Sequence, residues 1–144
     1  MTTINTYLTF DGNCEEAFNF YKSVFGGDFA HIQKFKDMPE NPKFPVAASD
    51  KEKIMHVSYP ISPNSILLGS DTGGEWAANF KQGNNFSISI NADSKEEADK
   101  IFDALSKNGE IIMPMTKTFW DSYFGNFTDQ FGVQWMVSFD EPKH

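Results

Sequence analysis

The sequence holds one cysteine, Cys14, in 144 residues, which excludes an intramolecular disulfide and a cysteine-rich zinc site. It is also short of positive charge: twelve basic residues stand against twenty acidic ones, for a formal charge of −8. Nucleic acid and anionic membrane are therefore not expected as partners, because both need clustered lysine and arginine. No apolar run approaches the roughly 20 residues that span a bilayer. The opening Met1-Thr2-Thr3-Ile4-Asn5 has neither the basic stretch nor the apolar core of a signal peptide, so a cytoplasmic location is expected. On that expectation the sequons Asn85-Phe86-Ser87 and Asn126-Phe127-Thr128 are chance matches. No phosphate-binding P-loop, Gly-x-Gly-x-x-Gly fingerprint or Gly-x-Ser-x-Gly elbow is present.

Aromatic residues are what the chain has in quantity: fifteen phenylalanines, three tryptophans and four tyrosines. The length suits one domain able to bury a core. These rings build that core, with some left over to line a cavity.

A repeat organises the chain. Glu15-Glu16-Ala17-Phe18-Asn19-Phe20-Tyr21-Lys22-Ser23-Val24 returns as Glu96-Glu97-Ala98-Asp99-Lys100-Ile101-Phe102-Asp103-Ala104-Leu105. Ala17 matches Ala98, Phe20 matches Ile101, Tyr21 matches Phe102 and Val24 matches Leu105. Strand-like runs precede both copies, Ile4 to Phe10 and Phe86 to Ala92, and each copy ends at glycine, Gly26-Gly27 and Gly109. Ser94 with Glu97 forms a capping box for the second helix. Further strands are predicted at Phe29–Phe35, Lys53–Tyr59, Ser65–Ser70, Ile111–Met113, Tyr123–Thr128 and Val133–Phe139. The order is βαβββ twice, an α+β chain of two modules, about 1–72 and 85–140, joined by a connector. Residues 37–51, with Pro39, Pro42 and Pro45, form a long loop: a candidate lid or dimer arm, or an ordinary surface loop.

The period of two assigns faces to the strands. Ile4, Leu8, Phe10, Phe86, Ile88, Ile90, Val133, Trp135, Val137 and Phe139 are expected under the helices, with Met55, Val57 and Tyr59. Asn5, Tyr7, Thr9, His56, Ser58, Ser87, Ser89, Gln134, Met136 and Ser138 then share the other face. In two paired modules such faces can curve around a shared cleft, or they can simply be wetted.

Chemistry on that face is sparse. A metal site needs three or four converging His, Asp, Glu or Cys side chains; His56 is the one nitrogen ligand expected there, with His31 on another strand and His144 in the tail. His56 is also the candidate for acid–base catalysis, since imidazole titrates near neutrality; the plain alternative is a histidine held for packing. Trp120, Asp121 and Tyr123 at a strand entrance could form an aromatic wall with a carboxylate, or belong to the core. Cys14 is a nucleophile only if its thiol is exposed and activated; a buried cysteine is the plain alternative.

Tyr7-Leu8-Thr9-Phe10, Asn13 to Phe18, Phe20 to Gly27, Met55-His56-Val57, Ser70-Asp71, Thr118-Phe119-Trp120 and Asp129-Gln130-Phe131-Gly132-Val133-Gln134-Trp135 together resemble the PhnB-like family. The likeness spans residues 4–139. That family belongs to the vicinal oxygen chelate superfamily, with glyoxalase I, extradiol dioxygenases and bleomycin-resistance proteins. The resemblance implies paired βαβββ modules with curved mixed sheets around a cleft, and a homodimer. Glyoxalase-like enzymes hold a divalent metal with His, Glu or Gln from the first and last strand of each module. The corresponding positions here are Asn5 or Tyr7, Leu68 or Ser70, Phe86 or Ser87, and Met136. None is a His, Glu or Asp, so no metal and no cofactor is expected. Some relatives carry a 3-demethylubiquinone 3-methyltransferase label; no glycine-rich loop for S-adenosylmethionine follows a strand in this chain.

The expected function is binding of a small, partly apolar or aromatic molecule in a metal-free cleft. Tyr7, Thr9, His56, Ser87, Trp120, Tyr123, Gln134 and Met136 would line it. The alternative is a glyoxalase-like lyase or isomerase using His56 or a non-standard metal site.

Overall fold

The computed structural model describes residues 2–39, 41–43 and 45–140, and of 74–76 the backbone alone. The chain divides between Lys81 and Gln82 into two units, each with one helix and one four-stranded mixed sheet. Among the described residues no helix is long and apolar enough to cross a membrane.

Module 1 runs β1 (Thr6–Phe10), α1 (Cys14–Phe25), β2 (His31–Lys34), β3 (Ile54–Ser62) and β4 (Ser65–Asp71), with sheet order β1-β4-β3-β2. β1 lies parallel to β4; the other pairs are antiparallel. Alternation sets the faces, since Leu8 and Phe10 are buried while Tyr7 is half exposed. α1 lays Cys14, Ala17, Phe18 and Tyr21 on the sheet, all fully buried. Phe18 packs edge-on against Phe10 and Tyr21, with centroids 6.2 and 5.8 Å away. It sits directly over Gly69, where an added Cβ would stand 2.5 Å from the Phe18 ring. Gly26, at φ +80°, ends the helix, and its carbonyl accepts the Tyr59 hydroxyl at 2.5 Å.

Module 2 runs β5 (Ile88–Asn91), α2 (Lys95–Leu105), β6 (Glu110–Lys117), β7 (Ser122–Thr128) and β8 (Gln134–Asp140), ordered β5-β8-β7-β6. α2 buries Ala98, Ile101, Phe102 and Leu105. Phe102 stands over Gly125 of β7 and edge-on to Phe127, 5.1 Å between centroids. Both modules thus seat a helix phenylalanine over a strand glycine, but at positions that are not equivalent in the repeat.

The two βαβββ units agree with the sequence reading, while several boundaries move. Ile4 is 94% exposed and lies outside β1, and Phe86 is 63% exposed and lies outside β5, so neither packs under a helix. β1 meets β4 only from the Thr6–Leu67 pair, which leaves Ile4 without a neighbouring strand. Phe29 lies before β2, packed edge-on to Tyr59 at 5.5 Å. β6 reaches Lys117 rather than Met113, because it stays paired with β7 across two register shifts. Val133 belongs to the turn before β8.

Candidate functional site

In each module the helix covers one sheet face and leaves the other without a helix. On module 1 that face carries Tyr7 and Thr9 of β1, paired with Leu68 and Ser70 of β4. Ser58 of β3 pairs with Leu68 on one side and His31 of β2 on the other, and His56 pairs with Gln33. This register brings three rings into a row. Tyr7 stacks on His56 with centroids 6.0 Å apart and planes at 30°. His31 follows at 5.8 Å and 39°. The sequence reading set His31 apart on its own strand; β2–β3 pairing places it beside His56.

On module 2 the helix-free face carries Phe124, Asn126 and Thr128 of β7, opposite Ser138, Met136 and Gln134 of β8. The Ser138 hydroxyl donates to Asn91 Oδ1 at 2.9 Å, and Ser87 Oγ lies 3.5 Å from Gln134 Oε1. Trp120, 54% exposed in the β6–β7 turn, packs its ring against Phe124 at 6.2 Å. Asp121 of that turn is left-handed, at φ +64°. Tyr123 departs from the expected set. It pairs with Phe139, two residues from the Gly125–Val137 pair beneath α2, so it stands on the helix side. Its hydroxyl donates to Asp99 Oδ1 of α2 at 2.5 Å. That bond, then burial and the Asp99 and Asp103 charges, push the phenol up to about 12.

Two buried acids that the motifs contain serve the fold. Asp71 Oδ1 accepts the backbone N–H groups of Gly12 and Cys14, at 3.0 and 2.9 Å, and Oδ2 accepts that of Ile54 at 2.8 Å. Asp129 Oδ1 accepts N–H groups of Phe131 and Val133, and Oδ2 accepts the Trp135 indole at 2.8 Å. The Asp129-to-Trp135 run is therefore a knotted turn that anchors β8. Cys14 is fully buried; burial first, then the Asp71 and Glu15 charges, push its thiol far above the ordinary range. A protonated, inaccessible thiol is not a nucleophile at neutral pH.

The 37–51 loop contributes to a cavity of about 320 Å³ lined by Phe35, Met38, Pro39, Pro42, Pro45 and Val46, with Lys36, Lys51 and Asn41 as its polar groups.

The strand positions that carry metal in the superfamily do not fit a metal in this chain. Asn5 offers a single amide and Tyr7 is stacked on His56, Leu68 is aliphatic and Phe86 aromatic, Ser70 and Ser87 offer only hydroxyls, and Met136 offers a thioether. Among the described residues no three His, Cys, Asp or Glu side chains converge. His144 lies outside the described residues.

Two βαβββ modules, each a helix on a mixed four-stranded sheet, make this a protein of the glyoxalase/bleomycin resistance/dioxygenase fold, the vicinal oxygen chelate class. Within that class the chain belongs to the PhnB-like 3-demethylubiquinone-9 3-methyltransferase family, whose model matches residues 2–138. Protein YjdN of Escherichia coli (strain K12) is 30% identical over 146 residues, which cover 94% of this chain and 93% of that one. The solved structure of protein PA1353 from Pseudomonas aeruginosa has a TM-score of 0.83 at 38% identity, covering 99% of this chain and all of its own. The PhnB protein from Bacillus cereus has a TM-score of 0.74 at 24% identity, over 96% and 99% of the two chains, a likeness of fold.

Proposed function

We propose that this chain is a cytoplasmic homodimer that binds a small, partly aromatic molecule on its helix-free sheet faces, without metal at the superfamily's strand positions. Tyr7, Thr9 and His56 would make the contacts on module 1, and Ser87, Trp120, Gln134 and Met136 those on module 2. The observation behind this reading is the Tyr7–His56 stack, an aromatic and imidazole surface that α1 leaves uncovered and that includes a half-exposed tyrosine. Flat rings flanked by a few hydroxyls are the usual lining of small-ligand sites.

A thermal-shift screen of aromatic metabolites and antibiotics tests it. Stabilising compounds are expected; Tyr7→Ala should abolish the shift of those bound on module 1, and Trp120→Ala that of those bound on module 2. Compounds that stabilise both variants as well as the parent chain would contradict the reading.

One observation favours a second reading, in which His56 is the base of a lyase or isomerase: a second imidazole stands 5.8 Å away on the same face. Turnover of a screened compound, followed by proton NMR and lost in His56→Gln, would support catalysis over binding alone.

A further inference from the structure

We infer that the ligand of module 1 is a planar aromatic anion, an aryl carboxylate, lying along the Tyr7–His56–His31 row with its charge on the two imidazoles. This rests on the binding reading above and names the chemistry of the ligand.

The ring row supplies the shape. Neighbouring ring planes differ by 30° and 39°, at centroid separations of 6.0 and 5.8 Å, so the three rings run nearly parallel rather than as an edge-on cluster. A further fused or substituted aromatic ring extends such a row by offset stacking.

The charge pattern selects the sign. The chain carries twenty acidic residues, yet the strand residues of this face are Tyr7, Thr9, Leu68, Ser70, His56, Ser58, His31 and Gln33, with no carboxylate among them. Several charges on the neighbouring elements have partners of their own, and Asp37, whose carbonyl accepts from Gln33, takes the Lys34 backbone N–H on Oδ2. Lys34 pairs with Glu52 and with Glu15 of α1, Asp50 with Lys53, and Asp28 with Lys22 of α1. Asp71 is buried among the backbone groups of Gly12, Cys14 and Ile54. Tyr7 is a titratable group in ring contact with His56. Among the described strand residues of this face an anion therefore meets donors and no carboxylate.

Imidazole is the side chain that gains positive charge between pH 5 and 8. A carboxylate laid against it favours the charged form. Binding then takes up a proton, and affinity rises as pH falls.

The test compares 1-naphthoate with its neutral counterpart 1-naphthamide, titrated into the full chain in the presence of EDTA. Binding is read from amide NMR shifts at about pH 6 and about pH 8.5. The expected result is naphthoate perturbing β1 to β4 and binding about tenfold tighter at the lower pH, with naphthamide unaffected by pH. His31→Gln and His56→Gln should flatten the naphthoate pH dependence while keeping the parent amide spectrum elsewhere. Naphthamide binding to the same strands as tightly as naphthoate would overturn the inference and leave the binding reading standing. Failure of both ligands to perturb these strands would overturn the inference and count against the reading beneath it. Naphthoate binding that appears only when EDTA is omitted would also overturn it, reassigning the imidazole pair to a cation.

Discussion

Asp71 Oδ1 accepts the backbone N–H of Cys14 at 2.9 Å from 57 positions along the chain, so a carboxylate at the end of β4 starts helix α1. Asn13, at the helix N-cap, makes no side-chain capping bond. The second oxygen of Asp71 holds Ile54 at the entry to β3, and one side chain thereby joins a helix and two strands. Module 2 solves the same problem locally, with Ser94 Oγ accepting Glu97 N–H at 3.0 Å. Asp71→Ala should strand three backbone donors and lower stability by about 3 kcal/mol or more. Ser94→Ala should cost only about 1 kcal/mol. Urea midpoints check both, and equal losses would contradict the assignment.

That contrast explains which parts of the fold were legible in the sequence. The Ser94 cap needs only its own helix, so spacing reveals it, although Glu97 Oε2 accepts the backbone N–H of Asp93 at 3.3 Å rather than that of Ser94. Asp71 works through partners in other elements, which no local pattern displays. The same holds for the faces. Leu8 and Phe10 alternate visibly with Tyr7 and Thr9, but the side on which Tyr123 falls depends on its pairing with Phe139 across β8. His31 stands apart from His56 in the sequence because only β2–β3 pairing unites them.

The Phe18–Gly69 contact should be intolerant of a methyl group. Gly69→Ala places a Cβ 2.5 Å from the Phe18 ring and should cost roughly 1–3 kcal/mol. Phe18→Leu opens room above that Cβ, so the double variant should lose less than the two single changes combined. Strict additivity in denaturant unfolding would show that the ring does not press on this strand.

Tyr123 should make stability fall in alkali. Its folded pKa is raised to about 12 by the bond to Asp99, above the roughly 10 of an unfolded tyrosine. The stabilisation is fully present below pH 10 and is lost as pH rises through about 12. Tyr59, raised by burial, adds a loss of the same sign. Tyr123→Phe should therefore be less stable than the parent below pH 10 and converge on it above. Parallel pH–stability curves would rule out the assignment.

Cys14 should resist alkylation in the folded protein, since it is fully buried and its thiol is held protonated. Iodoacetamide at about pH 8 should label it slowly, in proportion to the small unfolded population, and at full speed in urea. Native-state labelling as fast as that of a free thiol would contradict its placement.

The central claim is a small aromatic ligand on the face that bears Tyr7 and His56. The most direct measurement follows the imidazole proton resonances of His31 and His56 while the tightest compound from the thermal-shift screen is titrated. Saturable shifts of both rings, with a Kd matching the thermal data, are the predicted result. Unmoved imidazoles while the Met38 and Val46 signals of the loop cavity shift would contradict the account.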